Sequence, residues 1–326
     1  MCYADEKLTA GMTVVVVAAG YGGPEVLTVV DQPAGDPGPG QVRIAVRAAG
    51  VNPADWKSYS GAWGADPAKL PIRLGFEAAG VVTAIGEDAA CAAGPVSVGD
   101  EVIAPRASGA YAAELVVAAR TLVPKPAALD WAEAAGLMLT GATAWHTVVA
   151  AAVSAGDTVL IHGGAGAVGT MATQLAVGRG AAVIATASPR RHEFLRGLGA
   201  APVAYGAGLA DRVREAGPAG VDAAIDTVGT DEAVDVSLEL VVNRSRIITV
   251  AAFGRAGEAG IRALGAGPGA DPGTEIREAA RPELARLAGE GTLRVFVDRT
   301  YPLAQAADAH RYIMTGHATG KIALIP

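Results

Sequence analysis

Residues 159–176 read VLIHGGAGAVGTMATQLA, an apolar β-branched run that passes through glycines into an apolar, helix-like stretch. Gly164, Gly166 and Gly169 satisfy the pattern GxGxxG, and Gly163, Gly166 and Gly169 satisfy the related GxxGxxG. Glycines at these spacings permit a tight strand-to-helix turn and let backbone amides approach a pyrophosphate. They also let the helix pack closely on a sheet with its positive end toward the anion. A strand precedes the motif and a helix follows it inside a βαβ pattern, so it reads as a dinucleotide site; a glycine turn used only for packing is the alternative.

The choice of dinucleotide is read at the end of the next strand, where an Asp or Glu would bond the ribose 2′-hydroxyl of NAD. Nineteen residues past Gly169 stands Ser188, in TASPRRHE, and no carboxylate appears before Glu193. Arg190 and Arg191 sit there instead. Guanidinium groups only donate, so they suit a 2′-phosphate and offer nothing to a free hydroxyl as acceptor. The cofactor expected is NADPH. The alternative, two arginines on a solvated helix start, suffers because cations are disfavoured at a helix N-terminus without an anion nearby.

Outward from this motif, strand-length and helix-length segments alternate from about residue 130: DTVLIHG before VGTMATQLAVGRG, AAVIATA before RRHEFLRGLG, VDAAIDTVG before DEAVDVSLELV, then SRIITVAAFG. That rhythm predicts a parallel sheet covered on both faces. The Gly/Pro-dense stretch GEAGIRALGAGPGADPG (257–273) reads as a long connection, with a mobile flap as the alternative. Before residue 130 lie short β-like runs split by glycine and proline: MTVVVVA, VLTVVDQP, QVRIAVRAAGV, AAGVVTAIG, DEVIAP and YAAELVVAA. They predict a compact, mostly antiparallel, barrel-like domain. The tail returns to helix, strand, helix and strand. Residues 134–156 carry no Asp, Glu, Lys or Arg and are long enough to cross a bilayer. They are rich in Ala, Gly, Thr and Ser, include His146 and end in the turn SAGD, and so read as a buried helix with its connection.

A chain of 326 residues, 51% hydrophobic and 18% charged, suits two folded domains. Its net charge of -7 leaves no basic surface for nucleic acid or anionic membrane. Cys2 and Cys91 form no CxxC pair, which excludes a disulfide scaffold or a cysteine-built zinc site and fits a reducing, cytoplasmic setting. Residues 1–11 are acidic and lack a long apolar run; with Met12 reading like a natural beginning, they are expected to be an extension or a mis-called start.

From Met12 to Pro326 the chain resembles the medium-chain dehydrogenase/reductase superfamily, in its zinc-independent quinone oxidoreductase (zeta-crystallin-like) branch. The resemblance is carried, in order, by YGGPEVL, AAGVNPADWKSYSG, LGFEAAGVVTAIG, VGDEVIA, LTGATAW, HGGAGAVG, TASPRR, VDAAIDTVG, EGTLR, YPLAQAADAHRYI and HATGKIAL. It implies an α/β fold: a GroES-like, partly barrel-shaped β domain (1–128, with 277–326 returning to it) and an inserted Rossmann domain with a doubly wound parallel sheet (129–276). The active cleft would lie between them, in a homodimer. Zinc-dependent relatives place Cys where Asn52 stands and His where Phe76 stands, so three metal ligands cannot be assembled at these positions. His146, His162, His192, His310 and His317 are scattered, without ligand-like spacing, and read as structural or surface residues.

By the same resemblance Asn52 lies beside the nicotinamide ribose and substrate, and Thr140 contacts the nicotinamide end. Gly163, Gly164, Gly166 and Gly169 form the turn, with Ala167 and Val168 giving amides to the pyrophosphate. Ser188, Arg190, Arg191 and Tyr205 enclose the 2′-phosphate, while Phe253, Phe296 and Val297 face the nicotinamide. Lys321 lies near the cofactor, a structural role being equally open. The catalytic candidates are Asn52, Lys57, Tyr59 and Trp63; Lys57 and Trp63 replace two tyrosines that cover the substrate in familiar bacterial quinone reductases. The activity implied is NADPH-dependent hydride transfer to a quinone or an α,β-unsaturated carbonyl compound. The alternatives are reduction of an enoyl thioester in a biosynthetic pathway, or an NADPH-binding protein with little turnover.

Overall fold

A computed structural model describes residues 11–326; the segment ahead of them, with Cys2 and the expected extension, lies outside the described residues. The chain divides into two compact units, one formed by Met1–Leu139 together with Val297–Pro326 and the other by Thr140–Phe296.

In the first unit, alternation does the sorting. Along Gln41–Val51 the side chains of Val42, Ile44 and Val46 are buried while Gln41 and Arg47 are exposed, the period-two pattern of a strand with one face on a core. This strand is central to a mostly antiparallel sheet ordered Val123–Pro124, Glu101–Ala104, Ala78–Ile85, Gln41–Val51, Lys321–Ile325, Val297–Pro302, with Glu114–Ala118 also paired to Gln41–Val51. Met12–Ala18, Leu27–Pro33 and Ile72–Arg73 make a second, three-stranded sheet. The last strand runs antiparallel to Gln41–Val51 with Ile322 opposite Val51, so Lys321 arrives at the end of the strand from which Asn52 departs.

The second unit holds a six-stranded, wholly parallel sheet ordered Ala200–Val203, Ala182–Thr186, Thr158–His162, Ala223–Asp226, Ile247–Thr249, Arg262–Ala263. The order reverses between Thr158–His162 and Ala223–Asp226. In open α/β sheets the carboxyl ends of strands at such a reversal form the ligand crevice. The glycine turn begins at that point.

The expected domain boundaries need correction. The second unit begins at Thr140 and runs to Phe296, so residues 277–296 belong to it and residues 129–139 do not. The reason is the helix Thr274–Gly289, whose Ala280, Leu284 and Ala288, spaced by four, form a buried stripe, Leu284 packing where Gly141 leaves room beside Met171. The stretch 257–273 is an ordered connection that contributes the edge strand Arg262–Ala263. The uncharged run is the helix Trp131–Ala150, buried along most of its length. Among the described residues no helix is long and apolar enough to cross a membrane.

Candidate functional site

In the second unit the four glycines have separable physical roles. Gly163 is left-handed (φ 75°), and a Cβ there would come within 2.6 Å of Val228 and 2.7 Å of Thr227 Oγ1. At Gly164 a Cβ would sit 2.7 Å from the Ala185 Cβ, and at Gly169 it would be 2.2 Å from the Gly163 carbonyl oxygen. Gly166 differs: its nearest neighbour would be 3.4 Å away, an ordinary contact. The fold itself therefore demands three of the glycines, while Gly166 keeps its surroundings clear for something other than this unit. Gly166 is also the N-cap of the helix Ala167–Gly178 and makes no side-chain cap, so the first amides, of Ala167, Val168 and Gly169, have no intrahelical acceptor. Thr186 steadies the turn: its hydroxyl accepts the Gly163 N–H (3.0 Å) and its carbonyl the Gly164 N–H (3.0 Å).

Thr186 pairs with Val203 across the first and second strands of the sheet order, and Ser188 and Tyr205 each lie two residues beyond that pair, at one edge of the sheet. Ser188 caps the turn Pro189–Arg191; Arg190 and Tyr205 are exposed and Arg191 is half-buried. These four predicted residues are thus neighbours in the topology. Phe253 packs its ring on Gly267, where a Cβ would be only 2.4 Å from it. Thr140 is buried. Phe296 meets Phe194 edge-on (centroids 4.8 Å apart) with the Arg294 guanidinium over its ring, so its contacts lie with the helix that follows the arginine pair and not with Phe253. Gln174, on the glycine-turn helix, anchors this segment with a bond in each direction to the Arg294 backbone (3.0 and 2.8 Å).

The motif-based reading overlooked Asp226. Buried at the end of its strand, it accepts the N–H groups of Val228 and Gly229 (2.9 Å each) and the Thr249 hydroxyl (2.7 Å), which fixes the turn facing the glycine loop. Beneath it His162 is bonded to Ser237 (3.1 Å), its imidazole pushed down to about 4 by burial.

In the first unit Asn52 is the N-cap of the helix Pro53–Tyr59. Its N–H is accepted by Asp55 Oδ2 (2.6 Å). Its side chain points inward: Nδ2 donates to Glu77 Oε1 (3.0 Å) and more weakly to the Gly50 carbonyl (3.4 Å), while Oδ1 accepts from Lys321 Nζ (2.6 Å). Lys321, 2% exposed, completes its three donations with Glu77 Oε1 (2.9 Å) and the Val51 carbonyl (3.3 Å). Of the two roles open to it, Lys321 is seen in the structural one.

Tyr59 closes the same helix. Four residues after Asp55, it shares the inward face of its helix, is 1% exposed, and its hydroxyl is hydrogen-bonded to His310 Nδ1 (2.7 Å). The other ring nitrogen of His310 is bonded to Tyr111 (3.0 Å). Burial holds His310 neutral, at about 4, so one nitrogen donates and the other accepts. Burial also raises Asp55 to about 7, against the pull of the Asn52 N–H, the Lys321 ammonium and the Tyr111 hydroxyl. Lys57, on the other side of the helix, is half-buried and burial lowers its pKa; Trp63 is exposed. Nothing in the local sequence marks Glu77, Tyr111 or His310 as partners, since they come together only in the folded unit, His310 from the helix Ala306–Met314. Among the described residues no three of His, Cys, Asp and Glu are grouped to hold a metal ion.

Comparison with known proteins places this geometry. Residues 38–127 match the alcohol dehydrogenase GroES-like domain, and residues 198–324 the zinc-binding dehydrogenase model. A quinone oxidoreductase of Pseudomonas aeruginosa is 32% identical over 94% of this chain and 98% of its own. The NADPH-dependent alkenal/one oxidoreductase, chloroplastic, of Arabidopsis thaliana is 31% identical over 88% and 72%. A mycobacterial protein solved in complex with NADPH superposes with a TM-score of 0.84 at 30% identity, covering 96% of this chain and all of that one. Against phthioceranic/hydroxyphthioceranic acid synthase of Mycobacterium tuberculosis (34% identical), the chain spans 14% of the relative's length. The chain therefore belongs to the medium-chain dehydrogenase/reductase superfamily, in its zinc-independent quinone oxidoreductase-like branch.

Proposed function

We propose that the protein is an NADPH-dependent reductase of quinones or α,β-unsaturated carbonyl compounds. The observation that carries this reading is that Ser188, Arg190, Arg191 and Tyr205 follow the paired strand ends Thr186 and Val203, with no carboxylate in the sequence between Gly169 and Glu193, beside a glycine turn in which Gly166 alone is not demanded by packing. The helix amides of Ala167 and Val168 suit a pyrophosphate, and the arginine pair suits a 2′-phosphate through charge-assisted bonds. NADPH, when bound, supplies a hydride to the electrophilic carbon of an enone or to a quinone. The chain's own contribution is positioning and exclusion of water. Lys57 is the proton-donor candidate, because burial brings its ammonium toward the working range. Tyr59, committed to His310, is not. A homodimer is carried forward from the family resemblance, and a cytoplasmic location from the cysteine usage.

Steady-state oxidation of NADPH and NADH against a panel of quinones and enones tests the reading. Turnover with NADPH at least tenfold more efficient than with NADH is expected; no turnover, or a preference for NADH, refutes it. The second reading, reduction of an enoyl thioester, is favoured by the match to a segment, 14% of the length, of phthioceranic/hydroxyphthioceranic acid synthase. It would be preferred if an enoyl-CoA were reduced faster than every enone and quinone tested.

A further inference from the structure

The hydrogen bonding of the first unit fixes which way the Asn52 amide faces. An amide side chain has two N–H donors and one carbonyl acceptor. Both Nδ2 protons point inward, to Glu77 Oε1 at 3.0 Å and to the Gly50 carbonyl at 3.4 Å. The orientation has no ambiguity of the kind that affects isolated amides. Lys321 can only donate, so the atom 2.6 Å from its Nζ must be the oxygen. An ionised carboxylate can only accept, so the atom facing Glu77 must be the nitrogen.

Glu77 and Lys321 are themselves held on every side. Glu77 Oε1 accepts from Asn52 and Lys321, and Oε2 accepts the N–H of Leu139 (2.8 Å) inside the helix Trp131–Ala150. Both side chains are essentially fully buried. Two glycines make the space: a Cβ on Gly50 would come within 2.5 Å of Glu77 Oε1, and one on Gly136 within 2.9 Å of Lys321 Cγ. A buried ion pair is a poor route to stability, because desolvation offsets most of the attraction. Its defining property here is direction, since it offers a donor to one end of an amide and an acceptor to the other.

We propose that Glu77 and Lys321 are positioning residues that lock Asn52 with its nitrogen inward, so that any hydrogen bond Asn52 makes to a bound molecule is one it accepts, from a hydroxyl. The proposal rests on the reading that Asn52 borders bound NADPH, where the hydroxyls available are those of the nicotinamide ribose. It removes Asn52 from the groups that could stabilise a developing oxyanion.

The test uses the whole chain as wild type and as the double variant Glu77→Gln/Lys321→Met. Removing both charges avoids leaving either one buried alone, which would confound the single variants. In the double variant the new amide at position 77 can present N–H toward Asn52 and the thioether at position 321 presents no donor, so the Asn52 amide is free to turn over. Thermal unfolding is expected within a few degrees of wild type. The dissociation constant for NADPH should rise about tenfold, the loss of one hydrogen bond. An NADPH analogue lacking the nicotinamide-ribose hydroxyls should bind wild type about tenfold more weakly than NADPH does and the double variant no more weakly. A double variant that binds NADPH as wild type does, or a wild type indifferent to the ribose hydroxyls, overturns the proposal while leaving the reductase reading intact. A wild type that fails to bind NADPH at all overturns both.

Discussion

The two units prepare their strand ends for chemistry by opposite means. In Thr140–Phe296 the working surface is backbone: glycines that bring a helix start against a sheet, and amides of Ala167 and Val168 left without acceptors. In the other unit it is a set of buried side chains, Asn52, Asp55, Glu77, Tyr111, His310 and Lys321, tied by hydrogen bonds and charge. Backbone chemistry is insensitive to pH and intolerant of added volume. Side-chain chemistry has the reverse weaknesses: it tolerates shape-conserving exchange but responds to charge.

The largest expected effect is therefore a pH dependence seated in the first unit. Asp55 is raised from an unfolded value near 3.8 to about 7, so its contribution to stability is present at acid pH and is lost as pH rises from about 4 to about 7. His310 is lowered from 6.5 to about 4, so its contribution is present above about 6.5 and is lost as pH falls toward 4. The first amounts to about 4 kcal/mol over its window and the second to about 3 kcal/mol, and the two oppose each other. Unfolding midpoints between pH 4 and 8 should show Asp55→Asn gaining on wild type as pH rises and His310→Gln gaining as pH falls. Parallel curves for all three proteins would mean that these groups titrate normally.

Next comes volume in the second unit. Gly169→Ala forces a Cβ to within 2.2 Å of a backbone oxygen and should cost about 3 kcal/mol in chemical unfolding, with loss of NADPH binding. Gly166→Ala, which meets nothing closer than 3.4 Å, should keep its stability and still weaken NADPH. If Gly166→Ala bound NADPH normally, the turn would be a packing device and nothing more. The smallest effect is expected from Tyr59→Phe, which deprives His310 of one partner. It should lower stability by about 1 kcal/mol and leave kcat unchanged; a large fall in kcat would return Tyr59 to the site.

The same contrast explains what could be read from the residues alone. The second unit was legible because its candidate site is written contiguously: Gly163 to Gly169 lie within one turn, and Ser188 and Tyr205 follow their strands at fixed offsets. Strands such as Met12–Ala18 and Gln41–Val51 were legible from alternation. The network around Asn52 was not, because Lys321 is 269 residues away and meets it only through antiparallel pairing of the last strand. The bond between Tyr59 and His310 was hidden for a related reason: the two are 251 residues apart, and helical geometry puts Tyr59 on the face of Asp55. The boundary at Phe296 escaped notice because the helix Thr274–Gly289 carries a stripe of small residues around Leu284 and not the strong apolar face of a core helix.

The strand Lys321–Ile325 sits between Gln41–Val51 and Val297–Pro302, not at a margin of its sheet. During synthesis Thr140–Phe296, an uninterrupted stretch, can close on itself while the chain is still being extended. The other unit must wait, its sheet open down the middle and Glu77 without its counter-charge, until the strand Lys321–Ile325 has been made. A chain stalled before that strand would thus carry a closed second unit and an exposed, aggregation-prone seam in the first.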